Sequence, residues 1–372
     1  MKYLFFILVA LFFFAGNYYV FYRAWQTIPA NTWARTLLIV FAVVVVSSFL
    51  LNFIAGEMLP VTLSSIIYKI GTSWFFTFIY FLIINLLIDL VKVTRLIPKD
   101  ILTQYTRESW LSFGLVVGFI TLLMLCGYLK YRHKERVELP VAVNKAGQNS
   151  KTLKIVALSD LHLGYNIGKD ELGEWIGLIN QEEPDIVLIG GDIIDSSTRP
   201  VNEAEMFDDF KDIKSKYGIY AVLGNHEYIS GLNESLRFYE KAGIHLLRDS
   251  YTLIDSTFYV IGRDDRMNTG RKPLEEIMAG IDKSKPVLLL DHQPYHLEEA
   301  EQNGVDLQFS GHTHRGQIFP ISLITDMMYE KAYGYLRKGS TQVYVSSGMG
   351  IWGGKFRIGT QSEYVVINMQ LQ

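Results

Sequence analysis

The chain has 372 residues, of which 49% are hydrophobic, and a formal net charge of −3. Residues 1–150 carry 13 Lys and Arg against 6 Asp and Glu, whereas the remainder carries 22 against 32. The acidic C-terminal part argues against nucleic-acid binding, because affinity for a phosphate backbone rests mainly on Lys and Arg. A single cysteine, Cys126, excludes an intrachain disulfide and a cysteine-based metal site.

Four apolar stretches in the N-terminal part are long enough to cross about 30 Å of hydrocarbon. They span residues 3–22, 33–55, 70–91 and 110–129. The first fits either a signal peptide or a membrane helix, and its length and the aromatic residues that end it favour the helix. Residues 1–136 are therefore predicted to form an all-α, four-helix transmembrane region of a multi-pass cell-membrane protein.

Basic residues directly after the fourth stretch indicate which side of the membrane the C-terminal part occupies. Lys130, Arg132, Lys134 and Arg136 follow this stretch, and cytoplasmic flanks of membrane helices carry an excess of Lys and Arg. The C-terminal part is therefore predicted to be cytoplasmic. The loop on the other side, residues 92–107, is nearly as basic, so the opposite orientation stays open.

A polar, aperiodic segment over residues 137–150 is predicted to be a linker, and residues 151–372 a separate domain. In that domain short, strand-like apolar runs alternate with amphipathic stretches at 169–181, 202–216, 234–242 and 272–281. This alternation predicts an α/β fold with at least seven strands in two packed sheets flanked by helices.

Five short motifs rich in His, Asp and Asn each follow a strand-like run, and together they hold five of the eight histidines. The carboxyl ends of strands in α/β sheets border the crevice in which ligands bind, so we expect the motifs to share one pocket. The motifs are Ser159-Asp160-Leu161-His162, Gly190-Gly191-Asp192-Ile193-Ile194-Asp195, Leu223-Gly224-Asn225-His226-Glu227, Asp291-His292-Gln293-Pro294 and Ser310-Gly311-His312-Thr313-His314.

The residue types in these motifs point to a metal site. Asp160 and His162 stand two apart, so an extended chain would place both side chains on one face, and the same holds for His312 and His314. The Asp192 carboxylate has two oxygens with which to bridge two cations. Mixed oxygen and nitrogen donors suit Mn²⁺, Fe or Zn²⁺ better than Mg²⁺ or Ca²⁺. A two-metal centre is predicted, although each motif by itself could be a helix cap or a turn.

The five motifs in this order resemble the signature of the calcineurin-like metallophosphoesterase superfamily, over residues 153–369. The resemblance implies an αββα sandwich of two mixed sheets with two divalent metals, Mn²⁺ first and Fe or Zn²⁺ as alternatives. One metal would take Asp160, His162, Asp192 and His314, and the other Asp192, Asn225, His292 and His312. His226 would be the catalytic histidine, and Asp195 and Glu227 would support the ligands from outside the metal set.

Within the superfamily, the sequence around the first motif and the run 345–348 resemble a membrane-associated branch, some of which acts on phospholipid or nucleotide-lipid substrates. Ser196 and Ser197 stand where Ser/Thr protein phosphatases carry Arg-Gly, which argues against that activity. The sequence predicts a membrane-anchored dinuclear-metal hydrolase of a phosphodiester or pyrophosphate. The alternatives are an inactive receptor or scaffold, a phosphoesterase for soluble substrates, and a transporter with a regulatory soluble half. The apolar run 317–329 either meets lipid or packs in the core.

Overall fold

The chain forms two compact units, residues 1–128 and residues 129–372. The computed structural model describes residues 2–145 and 151–371, with side chains from residue 10 onward except those of residues 53, 99 and 151. The regular elements that the structure describes in the first unit are all helices. Its helices are α1 Lys2–Thr27, α2 Thr32–Ala55, α3 Val61–Thr94, α4 Lys99–Thr106 and α5 Trp110–Arg132, the last of which ends in the second unit.

Among the described residues, three helical segments are long and apolar enough to cross a membrane: Thr32–Asn52 in α2, the whole of α3 and the whole of α5. The span predicted at 70–91 is therefore the central part of a longer helix, Val61–Thr94. The span predicted at 3–22 lies within α1, but the side chains of residues 3–9 lie outside the described residues. That fourth span stays a prediction.

Two polar side chains inside this apolar unit, Asn17 and Asp89, have partners. Asn17 is buried and donates to the carbonyl of Phe13 at 2.9 Å, while its side-chain oxygen accepts from Trp74 at 2.8 Å. Asp89 pairs with Arg23 at 3.3 Å and with Lys92 at 3.1 Å. These partners lower the free-energy cost of polar and charged groups in an apolar surrounding, because an unpaired buried charge is costly.

The second unit contains two six-stranded mixed sheets. Its strands are β1 Lys134–Val143, β2 Lys151–Leu158, β3 Ile186–Ile189, β4 Ile219–Ala221, β5 His245–Leu246, β6 Ser250–Ile254, β7 Phe258–Gly262, β8 Val287–Leu290, β9 Leu307–Ser310, β10 Gly334–Lys338, β11 Thr341–Val345 and β12 Ser362–Leu371. The first sheet has the order β1-β12-β2-β3-β4-β5, and only the β12–β2 pair is antiparallel. The second has the order β10-β11-β9-β8-β7-β6, with antiparallel pairs at both edges.

The helices of this unit are mostly short. They are α6 Lys169–Gln181, α7 Arg199–Glu203, α8 Met206–Asp209, α9 Asn225–Ile229, α10 Leu232–Lys241, α11 Leu274–Met278, α12 Leu297–Asn303 and α13 Ile321–Met328, with 3₁₀ turns at Phe210–Asp212 and His314–Gly316. The longest, α6, buries Leu172, Trp175, Ile176 and Ile179 at helical spacing, so one apolar face meets the sheet.

Successive side chains of a strand point to opposite faces of its sheet, so the apolar residues are divided between three cores. Ile155 and Ala157 of β2 pack between the two sheets, whereas Val156 and Leu158 pack under the helices that cover the first sheet. A third core fills the space between the second sheet and α11 and α12. The result is the αββα sandwich that the sequence predicts.

Two details of the prediction are wrong. The linker predicted at 137–150 is a strand up to Val143, because Leu139, Val141 and Val143 are buried at every second position while their neighbours are exposed. Residues 146–150 of the predicted linker lie outside the described residues. Pro140 is tolerated because it occupies an exposed position of an edge strand. The amphipathic stretch at 202–216 does not form one helix: α7 ends at Glu203, and Glu205, at a left-handed φ of 50°, separates it from α8 and the 3₁₀ turn.

Candidate metal centre

Five strand ends converge on one site. The strands β2, β3 and β4 of the first sheet each end at a predicted motif, and so do β8 and β9 of the second. Strands β2, β3 and β4 run parallel to each other, as do β8 and β9, so each set presents its carboxyl ends at one edge. The seven predicted ligands therefore come together from both sheets. This agrees with the location of ligand sites in α/β proteins, which lie beyond the carboxyl ends of the strands.

Asp160, His162 and His314 form the first group of potential ligands. The Nε2 atoms of the two imidazoles lie 3.0 Å apart, and Asp160 Oδ1 lies 3.6 Å from His314 Nε2 and 3.9 Å from His162 Nε2. All three residues belong to one set of atoms within 4.8 Å of each other, close enough to share one cation. The carboxylate of Asp160 also accepts the His312 backbone N–H at 3.0 Å, which ties the first motif to the last.

Asp192, His292 and His312 form the second group. His292 Nε2 lies 3.1 Å from Asp192 Oδ2, and His312 Nδ1 lies 2.8 Å from the side-chain oxygen of Asn225. Nδ1 of His292 lies 2.7 Å from the carbonyl of Gly190, and donating there fixes the ring with its Nε2 toward Asp192. Orientation of a ligating histidine through its other nitrogen is a common feature of metal sites.

Asp192 connects the two groups. Its Oδ2 faces His292 and also lies 3.7 Å from His162 Nε2, while its Oδ1 accepts the His226 backbone N–H at 2.8 Å. Gly224 makes this approach possible, because a Cβ at that position would overlap Asp192 Oδ1. One carboxylate oxygen is thus held between both sets of histidines, where a bridging ligand would lie.

At His292 burial is outweighed by the charge of Asp192, which raises the pKa of that imidazole well above its usual value. Burial lowers the pKa of His312 to about 3, with the neighbouring His292 acting in the same direction, and it lowers that of His314 well below its usual value. Both imidazoles are therefore neutral and carry free lone pairs. Neutral imidazoles crowded against buried carboxylates and an amide oxygen are the donors that a transition-metal dication takes, so the residues fit a pair of such ions.

His226 lies beside His162 of the first group but pairs with Asp195. Its Nδ1 is 2.8 Å from Asp195 Oδ1, and its side chain keeps 15% of its surface exposed. Burial lowers the pKa of His226, but the charges of Asp192 and Asp195 outweigh that effect and raise it to about 9. The imidazole is therefore held in place and protonated at its Nε2 near neutral pH.

Glu227 connects two of the motif loops. Its carboxylate is fully buried and accepts backbone N–H groups of Asp192 at 3.2 Å, Ile194 at 3.0 Å and Gly224 at 2.7 Å. These bonds fix the loop that carries Asp192 against the loop that carries Asn225. The role expected for Glu227, support from outside the metal set, is consistent with this geometry.

The backbone of the predicted ligands is strained. Asp160, His162, Asp192, His312 and His314 all adopt left-handed conformations, with φ between 46° and 72°. Such a conformation costs a non-glycine residue about 1–2 kcal/mol. The expectation of an extended chain at these positions is therefore wrong. His312 and His314 in fact face different groups, so they do not share one face.

The sequence did not single out Arg357, which supports the site from behind. Its guanidinium is 1% exposed and donates to the carbonyls of His314 at 2.9 Å, Ser347 at 2.6 Å and Gly350 at 3.0 Å. The backbone N–H of Gly350 in turn donates to the carbonyl of Asp160. A lone arginine among glycines carries no signal of this role in one sequence.

An aromatic row beside the second group was also missed. The ring of Tyr329 lies 6.3 Å from that of His312 and 4.9 Å from that of Tyr295, and the Arg266 guanidinium lies 4.7 Å from the Tyr295 ring. These residues come from three separate loops. Only the fold brings them together, so sequence spacing could not indicate them.

Comparison with known proteins identifies the family. Residues 153–316 match the model of the calcineurin-like phosphoesterases. A Helicobacter pylori protein described as an uncharacterized metallophosphoesterase is 34% identical over 276 residues, which cover 71% of this chain and 72% of the relative. The chain belongs to the calcineurin-like metallophosphoesterases. All five motifs that predicted this family lie within the matched residues.

Two further relatives cover more of this metallophosphoesterase. A protein of another Helicobacter pylori strain, also described as an uncharacterized metallophosphoesterase, is 32% identical over 79% of this chain and 80% of its own length. A Danio rerio protein described as a transmembrane protein with metallophosphoesterase domain is 27% identical over 92% of this chain and 81% of its own length. The similarity therefore extends beyond the catalytic motifs into the helical unit.

Proposed function

We propose that this metallophosphoesterase is a dinuclear-metal hydrolase of phosphodiester or pyrophosphate bonds. The position of Asp192 Oδ2 between two groups of buried histidines carries the proposal. Asp160, His162, Asp192 and His314 would hold one ion, and Asp192, Asn225, His292 and His312 the other. Two such ions supply Lewis-acid stabilisation of the phosphoryl oxygens and an activated water.

The protein's own groups supply the remaining steps. His226 keeps its Nδ1 on Asp195, so its Nε2 is the nitrogen that can give a proton to the leaving oxygen. Asp195 and Glu227 hold His226 and the Asp192 loop in place. Five predicted ligands have a left-handed backbone. Strained backbone of this kind clusters at active sites and ligand-binding sites, which supports a functional role for these five residues.

Activity and metal content of the full-length protein test this proposal. The protein in detergent micelles is stripped with a chelator and assayed on bis(p-nitrophenyl) phosphate with Mn²⁺, Zn²⁺, Fe²⁺ or Mg²⁺ added back. We expect hydrolysis to return with Mn²⁺, and about two ions per chain by elemental analysis. A protein that binds two ions and hydrolyses neither this diester nor a pyrophosphate would be an inactive scaffold.

We also propose that the helical unit spans the cell membrane several times and leaves the catalytic unit in the cytoplasm. Three helices of spanning length support the first statement, together with the transmembrane description of the Danio rerio relative. The basic residues at the end of α5 support the second. A reporter that is active only outside the cytoplasm, fused at Gln372, would be silent in this orientation and active in the opposite one.

The substrate is proposed to be membrane-borne, a phospholipid or a lipid-linked nucleotide, since a soluble substrate needs no spanning helices. Turnover of acylated and deacylated forms of the same phosphodiester, measured with the full-length enzyme in micelles, distinguishes the two cases. Equal catalytic efficiency on both forms would leave a membrane-tethered enzyme for soluble phosphoesters.

A further inference from the structure

Helix α13 has its polar face inside and its apolar face outside. Ser322 and Thr325 are 6% and 8% exposed. The opposite side of the helix carries large apolar side chains that are 52–79% exposed: Leu323, Ile324, Met327 and Met328. A helix on a water-facing surface shows the reverse pattern, with its apolar face turned to the core. The outer face of α13 is therefore suited to a surrounding other than water.

The helix is fixed closely to the metal-ligand loop. Gly316, two residues after His314, has φ +68°, and a Cβ there would lie 2.7 Å from backbone atoms of Ile321 and Ser322. The small inner side chains of α13 allow this approach. At its other end, Tyr329 packs beside His312, with ring centroids 6.3 Å apart. The exposed apolar face thus lies next to two predicted ligands, one from each group.

A basic cleft adjoins the same loop. It has a volume of about 420 Å³ and is lined by Lys130, Arg315, Tyr333, Ser347, Gly359, Thr360 and Gln361. Among these described lining residues there are two cations and no carboxylate. Arg315 belongs to the loop and also lies 3.5 Å from Asp326 of α13, so the cleft and the helix are neighbours.

Both cations of the cleft have an acidic neighbour, Lys130 pairing with Glu135 at 3.3 Å and Arg315 with Asp326 at 3.5 Å. Glu363 is fully buried, and its carboxylate accepts from the Tyr333 and Tyr344 hydroxyls at 2.7 and 3.1 Å, the Gln361 amide at 3.1 Å and the Ser347 backbone at 3.3 Å. Its oxygens are occupied by protein donors. The pairs that Lys130 and Arg315 make are 39–42% exposed and therefore weak, so both cations can exchange their carboxylate for an anionic occupant of the cleft.

We propose that α13 inserts its exposed face into the interface of an anionic bilayer, and that the basic cleft receives a phosphate-bearing lipid headgroup. Apolar side chains on one side of a short surface helix bury at the boundary of headgroups and acyl chains. Lys and Arg next to that boundary add attraction to anionic lipids. The presentation of lipid-borne substrates to the metal centre rests on the proposed function, whereas the insertion itself does not.

Depth-dependent fluorescence quenching tests the insertion without any need for turnover. In the full-length chain the single cysteine is removed by Cys126→Ser, and an environment-sensitive fluorophore is placed at Met327→Cys. Leu253→Cys is the matched control, since Leu253 is 38% exposed on β6, at the edge of the second sheet opposite β10. Both proteins are reconstituted into phosphatidylcholine–phosphatidylglycerol vesicles that contain lipids spin-labelled high on the acyl chain.

We expect most of the fluorescence at position 327 to be quenched and that at position 253 to be retained. Lys130→Gln should reduce quenching at 327 to the level found in pure phosphatidylcholine vesicles, whereas Lys216→Gln, at an exposed lysine before β4, should not. An unquenched position 327 would show that α13 stays outside the bilayer, and would overturn the inference. Equal quenching at 253, or quenching that is independent of phosphatidylglycerol, would also overturn it.

Discussion

Removal of β1 should destabilise the second unit by a large fraction of its folding free energy. A fragment that starts at residue 151 lacks Leu139, Val141 and Val143, which are 7%, 1% and 3% exposed in the core between the sheets. Full burial of an aliphatic side chain contributes about 1.5–3 kcal/mol, so the three together contribute about 5–9 kcal/mol. Whole domains are stable by only about 5–15 kcal/mol.

Thermal unfolding of two fragments, 133–372 and 151–372, measures this loss by circular dichroism. For a unit of this size each kcal/mol corresponds to about 2–4 °C, so the shorter fragment should melt roughly 10–35 °C lower or fail to fold. Leu139→Ser in the longer fragment should reproduce part of the loss, and Ala142→Ser, at an exposed position of the same strand, should not. Midpoints within a few degrees of each other would refute the assignment of β1 to the core.

Four substitutions and one control separate the roles of the site residues. Asp192→Asn should lose both ions in elemental analysis, whereas His226→Gln should keep both and lose about 10²- to 10⁴-fold in rate; loss of metal from His226→Gln would overturn its role as a proton donor. Arg357→Lys should lower the free energy of unfolding in urea by about 3–5 kcal/mol, because a buried charge loses carbonyl partners. An unchanged midpoint would contradict the role of Arg357 in supporting the site. Gly224→Ala should weaken metal binding, since its Cβ overlaps Asp192, while Gly177→Ala, with open space around it on α6, should bind metal like the parent chain.

The strand ends and their motifs could be predicted from sequence because each is a local pattern. The run Ile186–Ile189 is wholly apolar and ends at glycines before Asp192, so the strand and the ligand after it are both visible in a few residues. The family resemblance then supplied what spacing could not, the division of the ligands between two ions.

Other features depend on contacts between distant residues. The polar residues around Pro140 suggested a linker, but β1 exists because β12, more than two hundred residues later, offers it a partner. The left-handed backbone at Asp160 and His162 likewise has no local cause, since neither residue type requires it. Tertiary contacts hold these conformations, and a single sequence does not show such contacts.

The pairing of β1 with β12 also constrains the order in which the chain can fold during synthesis. Lys134 leaves the ribosome directly after α5, yet its partner Ser362 comes after all the other strands of the unit. Because β12 also separates β1 from β2, the first sheet cannot close on this side until translation has reached residues 362–371. Until then the apolar side chains of β1 remain uncovered beside a nascent membrane helix, a stage at which chaperone binding or misassembly competes with folding.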